Sequence, residues 1–278
     1  MTILVTGGTG TVGSVVAREL LTAGADVRLA SRARGADDRH VVFDFTDSST
    51  WADAFAGVRA LFLVRPPALG NVRRDVLPAL GAARSSGVER IVFLSLQGAD
   101  RNRVVPHAIV ERWLRESGIA WTFLRAAFFH QNLITTHGSD IRDRDEIVVP
   151  AGDGRTAFVD AEDVGAMGAA ALLDPAAHAG RAWTVTGPRA LTYHQVAEIL
   201  TAELGRVIRY RRPSAARYVR HARHHLGMPW PMVAVTTAIY STARFGLAAG
   251  LSDDVHQVLG RPPIDFAEFA RRERAAWT

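Results

Sequence analysis

Ile3-Leu4-Val5-Thr6-Gly7-Gly8-Thr9-Gly10-Thr11-Val12-Gly13 is the stretch whose reading decides the fold. Its first four residues form a short apolar run of the kind buried on both faces of a parallel sheet. The residues after it, Val12 to Ala23, place apolar side chains at Val12, Val15, Val16, Leu20 and Leu21, the spacing of an amphipathic helix. Between strand and helix the glycines fall as Gly7-x-x-Gly10-x-x-Gly13. Gly7 permits a tight turn, Gly10 lets backbone approach a pyrophosphate, and Gly13 lets helix and strand pack closely. Amides at a helix start receive phosphate oxygens well, because their dipoles point outward. A glycine-rich turn with no ligand is the plainer alternative. The flanking strand and helix favour a nicotinamide dinucleotide held at Gly7, Thr9, Gly10, Thr11, Val12 and Gly13.

The end of the second strand bears on which dinucleotide. An acid about 20 residues past the glycines binds the ribose 2′-hydroxyl of NAD. Here the chain reads Leu29-Ala30-Ser31-Arg32-Ala33-Arg34, with no acid. A hydroxyl at Ser31 and a guanidinium at Arg32 suit a 2′-phosphate, so NADPH/NADP is expected, unless Arg32 is merely exposed. Asp44 and Phe45 follow the third strand, where a carboxylate and a ring can hold adenine. Val64, Arg65 and Pro66 follow the fourth and can pack against adenosine.

Strand-like and helix-like segments alternate through residue 125. Strands are expected at Ile3–Thr6, Val27–Ala30, Val41–Phe43, Ala60–Val64, Arg90–Ser95 and Trp121–Leu124. Helices are expected at Val12–Ala23, Trp51–Phe55, Val72–Ser85 and His107–Glu116, the last ended by Gly118. Continuously apolar strands with intervening helices imply an α/β fold, a Rossmann-type doubly wound parallel sheet. Its ligand loops lie beyond the carboxyl ends of the strands. Farther on, Phe158–Val159 and Ala182–Val185 read as strands around a helix at Ala161–Leu173. From Thr192 onward the chain reads mainly helical. The division expected is a dinucleotide-binding domain over 1–186, with 130–157 contributing to a substrate lobe, and a smaller, mainly helical C-terminal substrate lobe over 187–278.

Composition narrows the chemistry. The 278 residues include no cysteine, which excludes disulfides, a thiolate nucleophile and thiolate-bound metals. All 33 basic residues are arginine, so lysine-dependent mechanisms are excluded too. Between Glu203 and Asp253 stand eight arginines and no acid. Such a segment can favour an anionic ligand or be a solvated surface. No signal peptide precedes the first strand and apolar runs are too short to span a bilayer, so a cytoplasmic protein without a membrane partner is expected. The arginine segment matches no nucleic-acid reading module, and nucleic acid is not expected as a partner.

The chain resembles the NmrA-like family of atypical short-chain dehydrogenases/reductases. The resemblance rests on Thr6 to Gly13, Phe93-Leu94-Ser95-Leu96-Gln97-Gly98-Ala99, and Gly118-Ile119-Ala120-Trp121-Thr122-Phe123-Leu124-Arg125. It extends through Phe128-Phe129-His130-Gln131-Asn132-Leu133, Ala157 to Val164, and Gly260 to Phe269. The family implies an NADP(H)-binding fold and members that reduce quinones, enones, triphenylmethane dyes or ergot-alkaloid iminium ions, besides non-catalytic regulators. It also implies phosphate contacts at Thr9 to Gly13, a 2′-phosphate contact at Arg32, and nicotinamide-side contacts near Ser95 and Phe128, with Ser95, Leu96 and Gln97 expected among the cofactor-binding residues.

The Tyr-x-x-x-Lys machinery of most short-chain dehydrogenases is missing, since lysine is absent and the four tyrosines lie at 193, 210, 218 and 240. Some members of the family use a lysine at the start of the helix before strand six. His107 stands at that place, with Glu111 one helical turn on. His107 is a candidate general acid with Glu111 to orient or recharge it, or a helix-start histidine that merely meets its own i+4 carboxylate. Ser95, at the end of strand five, is a candidate partner for the nicotinamide carboxamide or a substrate carbonyl, or a simple strand-end cap. Gln97, His107, Phe128, Phe129, His130 and Asn132 are the expected substrate contacts, their rings suiting a flat aromatic or polycyclic small molecule. Arg125-Ala126 departs from the Arg-Pro usual in the family. His221, His224 and His225 share a helix but lack an evident carboxylate or distant ligand, so no metal is expected. The expected activity is NADPH-dependent hydride transfer to an activated C=C, C=O or C=N bond. An NADP(H)-sensing regulator and a non-redox cyclase or isomerase remain alternatives, and the protein is expected as monomer or homodimer.

Overall fold

A computed structural model describes residues 1–33, 35 and 37–278. Arg34, of the Ser31-Arg32-Ala33-Arg34 stretch read above, lies outside the described residues. The chain begins with β1 (Thr2–Thr6), α1 (Gly13–Thr22), β2 (Asp26–Ser31), β3 (His40–Val42), α2 (Trp51–Phe55) and β4 (Val58–Leu63). Next come α3 (Val72–Asp75), α4 (Leu77–Ser85), β5 (Arg90–Leu96), α5 (Pro106–Glu116), β6 (Ala120–Ala126), β7 (Phe128–Phe129), α6 (Asn132–Thr135), α7 (Gly138–Arg144) and β8 (Glu146–Ile147). Then follow β9 (Arg155–Val159), α8 (Ala161–Leu173), α9 (Pro175–His178), β10 (Arg181–Val185), β11 (Ala190–Thr192) and α10 (Tyr193–Leu204). The last elements are β12 (Arg209–Tyr210), α11 (Ala215–His224), α12 (Trp230–Arg244), α13 (Asp254–Leu259) and α14 (Phe266–Arg272).

Two compact units result. The first comprises Met1–Ala126, Ala161–Val185 and Gln257–Gly260; the second comprises Ala127–Asp160, Thr186–His256 and Arg261–Thr278.

The first unit is built on a seven-stranded sheet in the order β10-β6-β5-β4-β1-β2-β3. Every pairing in it is parallel. This is the Rossmann-type doubly wound sheet, with strand order reversing between β1 and β4. Alternation along the strands feeds both faces. Leu61 and Leu63 of β4 join Leu4, Phe43, Phe55, Ile91, Phe93, Leu114 and Phe123 in one core layer. Phe62 points the other way, towards α8, where a Cβ on Gly168 would meet its ring at 2.8 Å. Gly165 of α8 likewise has no room for a side chain against Val15 of α1. Both faces are therefore covered, as continuously apolar strands require.

One helix differs from the sequence expectation. The segment Val72–Ser85 is two helices, because Val76 leaves helical geometry at φ −123° and Pro78 sits in the first turn of α4. Proline tolerates that position because its missing N–H would have no helical partner there.

The second unit has its own small sheets and core. β7 pairs parallel with β9, which pairs antiparallel with β11, while β8 and β12 form a separate parallel pair. Phe158, Tyr193, Tyr218, Tyr240, Phe266, Phe269 and Trp277 supply its bulk.

Candidate dinucleotide site and its neighbours

The loops after β1 and β4 meet where strand order reverses, the place at which such sheets bind ligands. Thr6 ties the two strands together: its hydroxyl donates to the Phe62 carbonyl at 3.0 Å and accepts from the Val64 amide at 2.7 Å. Beyond it Gly7 takes φ +65°, and the Gly10 amide donates to the Gly7 carbonyl at 2.8 Å, closing a tight turn. A Cβ on Gly13 would collide with that same carbonyl. The helix can start this close to the turn only because residue 13 is glycine. Val12 at the N-cap has no side-chain oxygen to satisfy the first-turn amides of α1. Thr9, Gly10 and Thr11 are exposed there. An exposed, uncapped helix start of glycine-rich backbone suits a diphosphate.

At the end of β2 the Ser31 hydroxyl turns back onto the Ala33 carbonyl, and Arg32 is exposed. Across from it, Asp44 accepts from the Thr46 amide at 2.8 Å and hydroxyl at 2.7 Å. Those bonds, and after them the charge of Arg32, hold the Asp44 carboxyl below its ordinary range. Arg32 is thus close enough to act electrostatically on Asp44. Phe45 is turned inward: its ring lies edge-on to Phe43 at 4.8 Å within the core. As an adenine-stacking face it is a correction to the sequence expectation. Arg65, at the end of β4, curls back to donate to the carbonyls of Pro66 (2.8 Å) and Leu69 (3.0 Å), and burial lowers its proton affinity.

Farther along the sheet edge, α5, β5 and β6 converge on a buried carboxylate. Register places Ser95 beside Arg125. Glu111 accepts from the Ser95 hydroxyl at 2.7 Å, from Arg125 at 3.1 and 2.7 Å, and from Arg115 at 3.0 Å. Asp100 lies 3.6 Å from Arg125. None of these bonds is to His107, on which Glu111 acts only through its charge, and in this the structure departs from the reading from helical spacing. Ser95 in turn donates its hydroxyl hydrogen bond to Glu111 and is buried, so its donor is not aimed at a carbonyl. His107 stacks on Phe93 at 5.8 Å between ring centres. Its Nδ1 is buried without a hydrogen-bond partner among the described residues. Burial, reinforced by the charge of Arg65, pushes its pKa down to about 4, with Glu111 opposing. Gln97 follows β5, its amide donating to the Ala126 carbonyl at 2.9 Å; Leu96 closes the strand.

Phe128, Phe129, His130 and Asn132 fall in the second unit. Phe128 is half-buried, 5.7 Å from Phe158 and 5.5 Å from Tyr240. His130 is buried against Phe266 and Phe269, with Nδ1 3.8 Å from the Asp160 carboxylate. Its ring belongs to a core and forms no open wall, a correction to its expected substrate contact. Asp160 itself accepts from Gln131 and Arg272, each at 2.8 Å. The carboxylate not evident near His221 is Asp140, 2.6 Å away and buried. Among the described residues no group of three acids, histidines or cysteines is arranged to hold a metal.

Thr6 and Arg125 stand in the motifs read above, but their roles do not follow from those motifs. The first is significant only through the β1–β4 pairing, the second only through the register of β6 against β5. No spacing within the chain announces either.

A family model described as the NmrA-like family matches residues 1–246. An NAD(P)H azoreductase from Xenophilus azovorans is 36% identical over 289 residues, covering 99% of both chains. An uncharacterized oxidoreductase, YesF, from Bacillus subtilis is 33% identical, covering 99% of this chain and 96% of its own. The structure of an NADPH-dependent quinone oxidoreductase from Escherichia coli in complex with NADPH aligns at a TM-score of 0.85, covering 97% of this chain and 99% of that one at 24% identity. By extent of match and by relatives that run its full length, the chain belongs to the NmrA-like family.

Proposed function

We propose that this protein is an NADPH-dependent reductase that delivers hydride to an activated double bond of an aromatic or polycyclic small molecule. The observation that carries the proposal is the glycine turn, where Gly13 lies against the Gly7 carbonyl and α1 begins without a side-chain cap. That arrangement supports diphosphate binding at the backbone of Thr9 to Gly13. The exposed guanidinium of Arg32 supports a 2′-phosphate contact in place of the acid that NAD-preferring proteins carry. Full-length kinship to an NAD(P)H azoreductase supports reduction as the reaction class.

When bound, the coenzyme would supply a hydride, and the chain's task is to position it and its acceptor. His107 is neutral at pH 7 and offers a hydrogen bond rather than a stored proton. With no lysine in the chain and Ser95 committed to Glu111, solvent is left as the proton source. Such a site suits acceptors that are already electron-poor, such as quinones, azo compounds and iminium ions.

The test is absorbance at 340 nm with NADPH and a panel of quinones, azo dyes and enones. Turnover with at least one acceptor, and a lower KM for NADPH than for NADH, is the expected result. Tight NADPH binding without turnover of any acceptor would reject the reductase and leave a coenzyme-sensing protein.

A further inference from the structure

The segment without acids, 204–252, has no part in the reading above, and the structure gives it a definite form. α11 and α12 pack their inner faces into the second unit's core through Tyr218, Ala222, Val233, Tyr240 and Ala243. The outer face of α12 presents Pro231, Ala234, Val235, Ala238 and Ile239, a helical stripe of exposed apolar residues. Larger side chains extend both ends of the stripe. Trp230 is 62% exposed where it begins, and Phe245 and Leu247 are 73% and 77% exposed in the turn that follows. Exposed groups of this size in one short segment go beyond the scattered apolar residues of an ordinary surface.

Charge lies beside the stripe. The outer face of α11 carries Arg217, Arg220 and His224. Arg223 sits over the Trp230 ring at 5.1 Å. Arg206, Arg211 and Arg212 are paired to Asp145, Glu146 and Asp153. Among the described residues, Arg217, Arg220, Arg223 and Arg244 have no carboxylate within ion-pair distance.

From this juxtaposition we propose that α11, α12 and the turn through Leu251 form an interfacial face that docks the protein on a bilayer bearing anionic headgroups. Exposed Trp, Phe, Leu and Ile enter the boundary between headgroups and acyl chains, while arginines beside them meet lipid phosphates. A tryptophan capped by an arginine suits that depth, its ring in the apolar layer and the cation at the phosphates. Charge complementarity argues against a second copy as the occupant, because two such faces would set unpaired arginines against one another without an acid between them. Nucleic acid would account for the arginines and leave the apolar stripe unexplained. No described helix is long and apolar enough to cross a membrane, so the face lies on the surface rather than through it.

Co-sedimentation of the full chain with vesicles decides the matter. Equimolar phosphatidylglycerol and phosphatidylcholine vesicles should carry the protein down in low salt, and pure phosphatidylcholine should not. The variant Arg217→Gln/Arg220→Gln/Arg223→Gln should weaken sedimentation by roughly a hundredfold in lipid concentration. The variant Phe245→Ser/Leu247→Ser should weaken it by about tenfold or more. Both substitute exposed or half-exposed side chains, and an unchanged thermal midpoint verifies their fold. No sedimentation with the anionic vesicles overturns the proposal, as does equal sedimentation with neutral ones. It is also overturned if light scattering finds a dimer that Phe245→Ser/Leu247→Ser dissociates, for then a second copy covers the face.

Discussion

The Ser95 hydroxyl donates to the Glu111 carboxylate at 2.7 Å, and both residues are buried. This bond joins β5 to α5, and Arg125 carries the same carboxylate to β6. A buried carboxylate is tolerated only when paired and hydrogen-bonded, and Glu111 has two arginines and a hydroxyl. Its bond to Glu111 also raises the proton affinity of Arg125. Glu111→Ala strands Arg125 in a mostly buried place and should cost about 3–5 kcal/mol. Ser95→Ala removes one donor while both arginines remain, and should cost about 1–3 kcal/mol. Urea unfolding of the two variants measures both, and the order of their effects is the prediction: a Ser95→Ala change as costly as Glu111→Ala would mean that the hydroxyl, not the ion pairs, holds this corner.

Gly13→Ala tests the cradle itself. The added methyl meets the Gly7 carbonyl, and the nearest atoms are backbone, so α1 or the turn must move. Overpacking of this kind costs about 1–3 kcal/mol of stability, visible as a lower Tm. The turn amides move with it, so NADPH affinity should fall at the same time. A variant that lowers Tm but leaves the calorimetric Kd for NADPH intact would place the phosphates elsewhere.

Arg32→Ala separates the two coenzymes. Charge-assisted hydrogen bonds to phosphate contribute about 1.5–3 kcal/mol, so NADPH should bind roughly ten- to a hundredfold more weakly while NADH is unaffected. Arg32 is exposed, and no loss of fold should accompany the change. Equal loss for both coenzymes would instead assign Arg32 to a contact they share.

Most of the first unit could be read from the chain because its signals are local. A parallel sheet buried on both faces writes each strand as an apolar run, and Ile3, Leu61 and Ile91 declare themselves without their neighbours. The glycine turn was readable for a similar reason, since Gly7, Gly10 and Gly13 act within eleven residues. What escaped is relational. Helical spacing put Glu111 on the face of His107, but the carboxylate is taken by Arg125, which reaches it only through strand register. Phe45 and His130 have ordinary aromatic signatures, and only tertiary packing shows that their rings are enclosed. β7, β8, β11 and β12 have two or three residues each, too few for a period to emerge.

His107 should leave its mark on pH dependence by being silent. With its pKa pushed down to about 4, its charge does not change between pH 5.5 and 8. The rate profile of reduction should therefore carry no limb near 6.5 from this residue. On the proposed reading, in which His107 donates a hydrogen bond to the acceptor, His107→Phe removes that donor and should lower kcat by about a hundredfold, whereas His107→Gln retains an N–H and should recover much of it. A wild-type limb near 6.5 that vanishes in His107→Gln would restore an imidazolium acid.

His137 gives the clearest dependence of stability on pH. Its Nε2 lies 2.5 Å from the Tyr240 hydroxyl in the second unit's core, and burial lowers its pKa to about 4. Asp140 opposes the shift and His221 adds to it. Burial also raises the Tyr240 pKa well above 10, so a neutral phenol shares the hydrogen bond with a neutral imidazole. Protonating that ring buries a charge. The folded value lies below the unfolded 6.5, so the contribution is fully present above pH 6.5 and is lost as pH falls through about 4. Over that window the fold should lose about 3 kcal/mol from this one ring. His137→Gln keeps a hydrogen-bonding partner for Tyr240 and does not titrate, so its stability should fall less steeply between pH 6.5 and 4 than that of the unaltered protein. Urea midpoints at pH 7.5, 6.5, 5.5 and 4.5 measure both slopes, and parallel slopes would show that His137 is not the group being protonated.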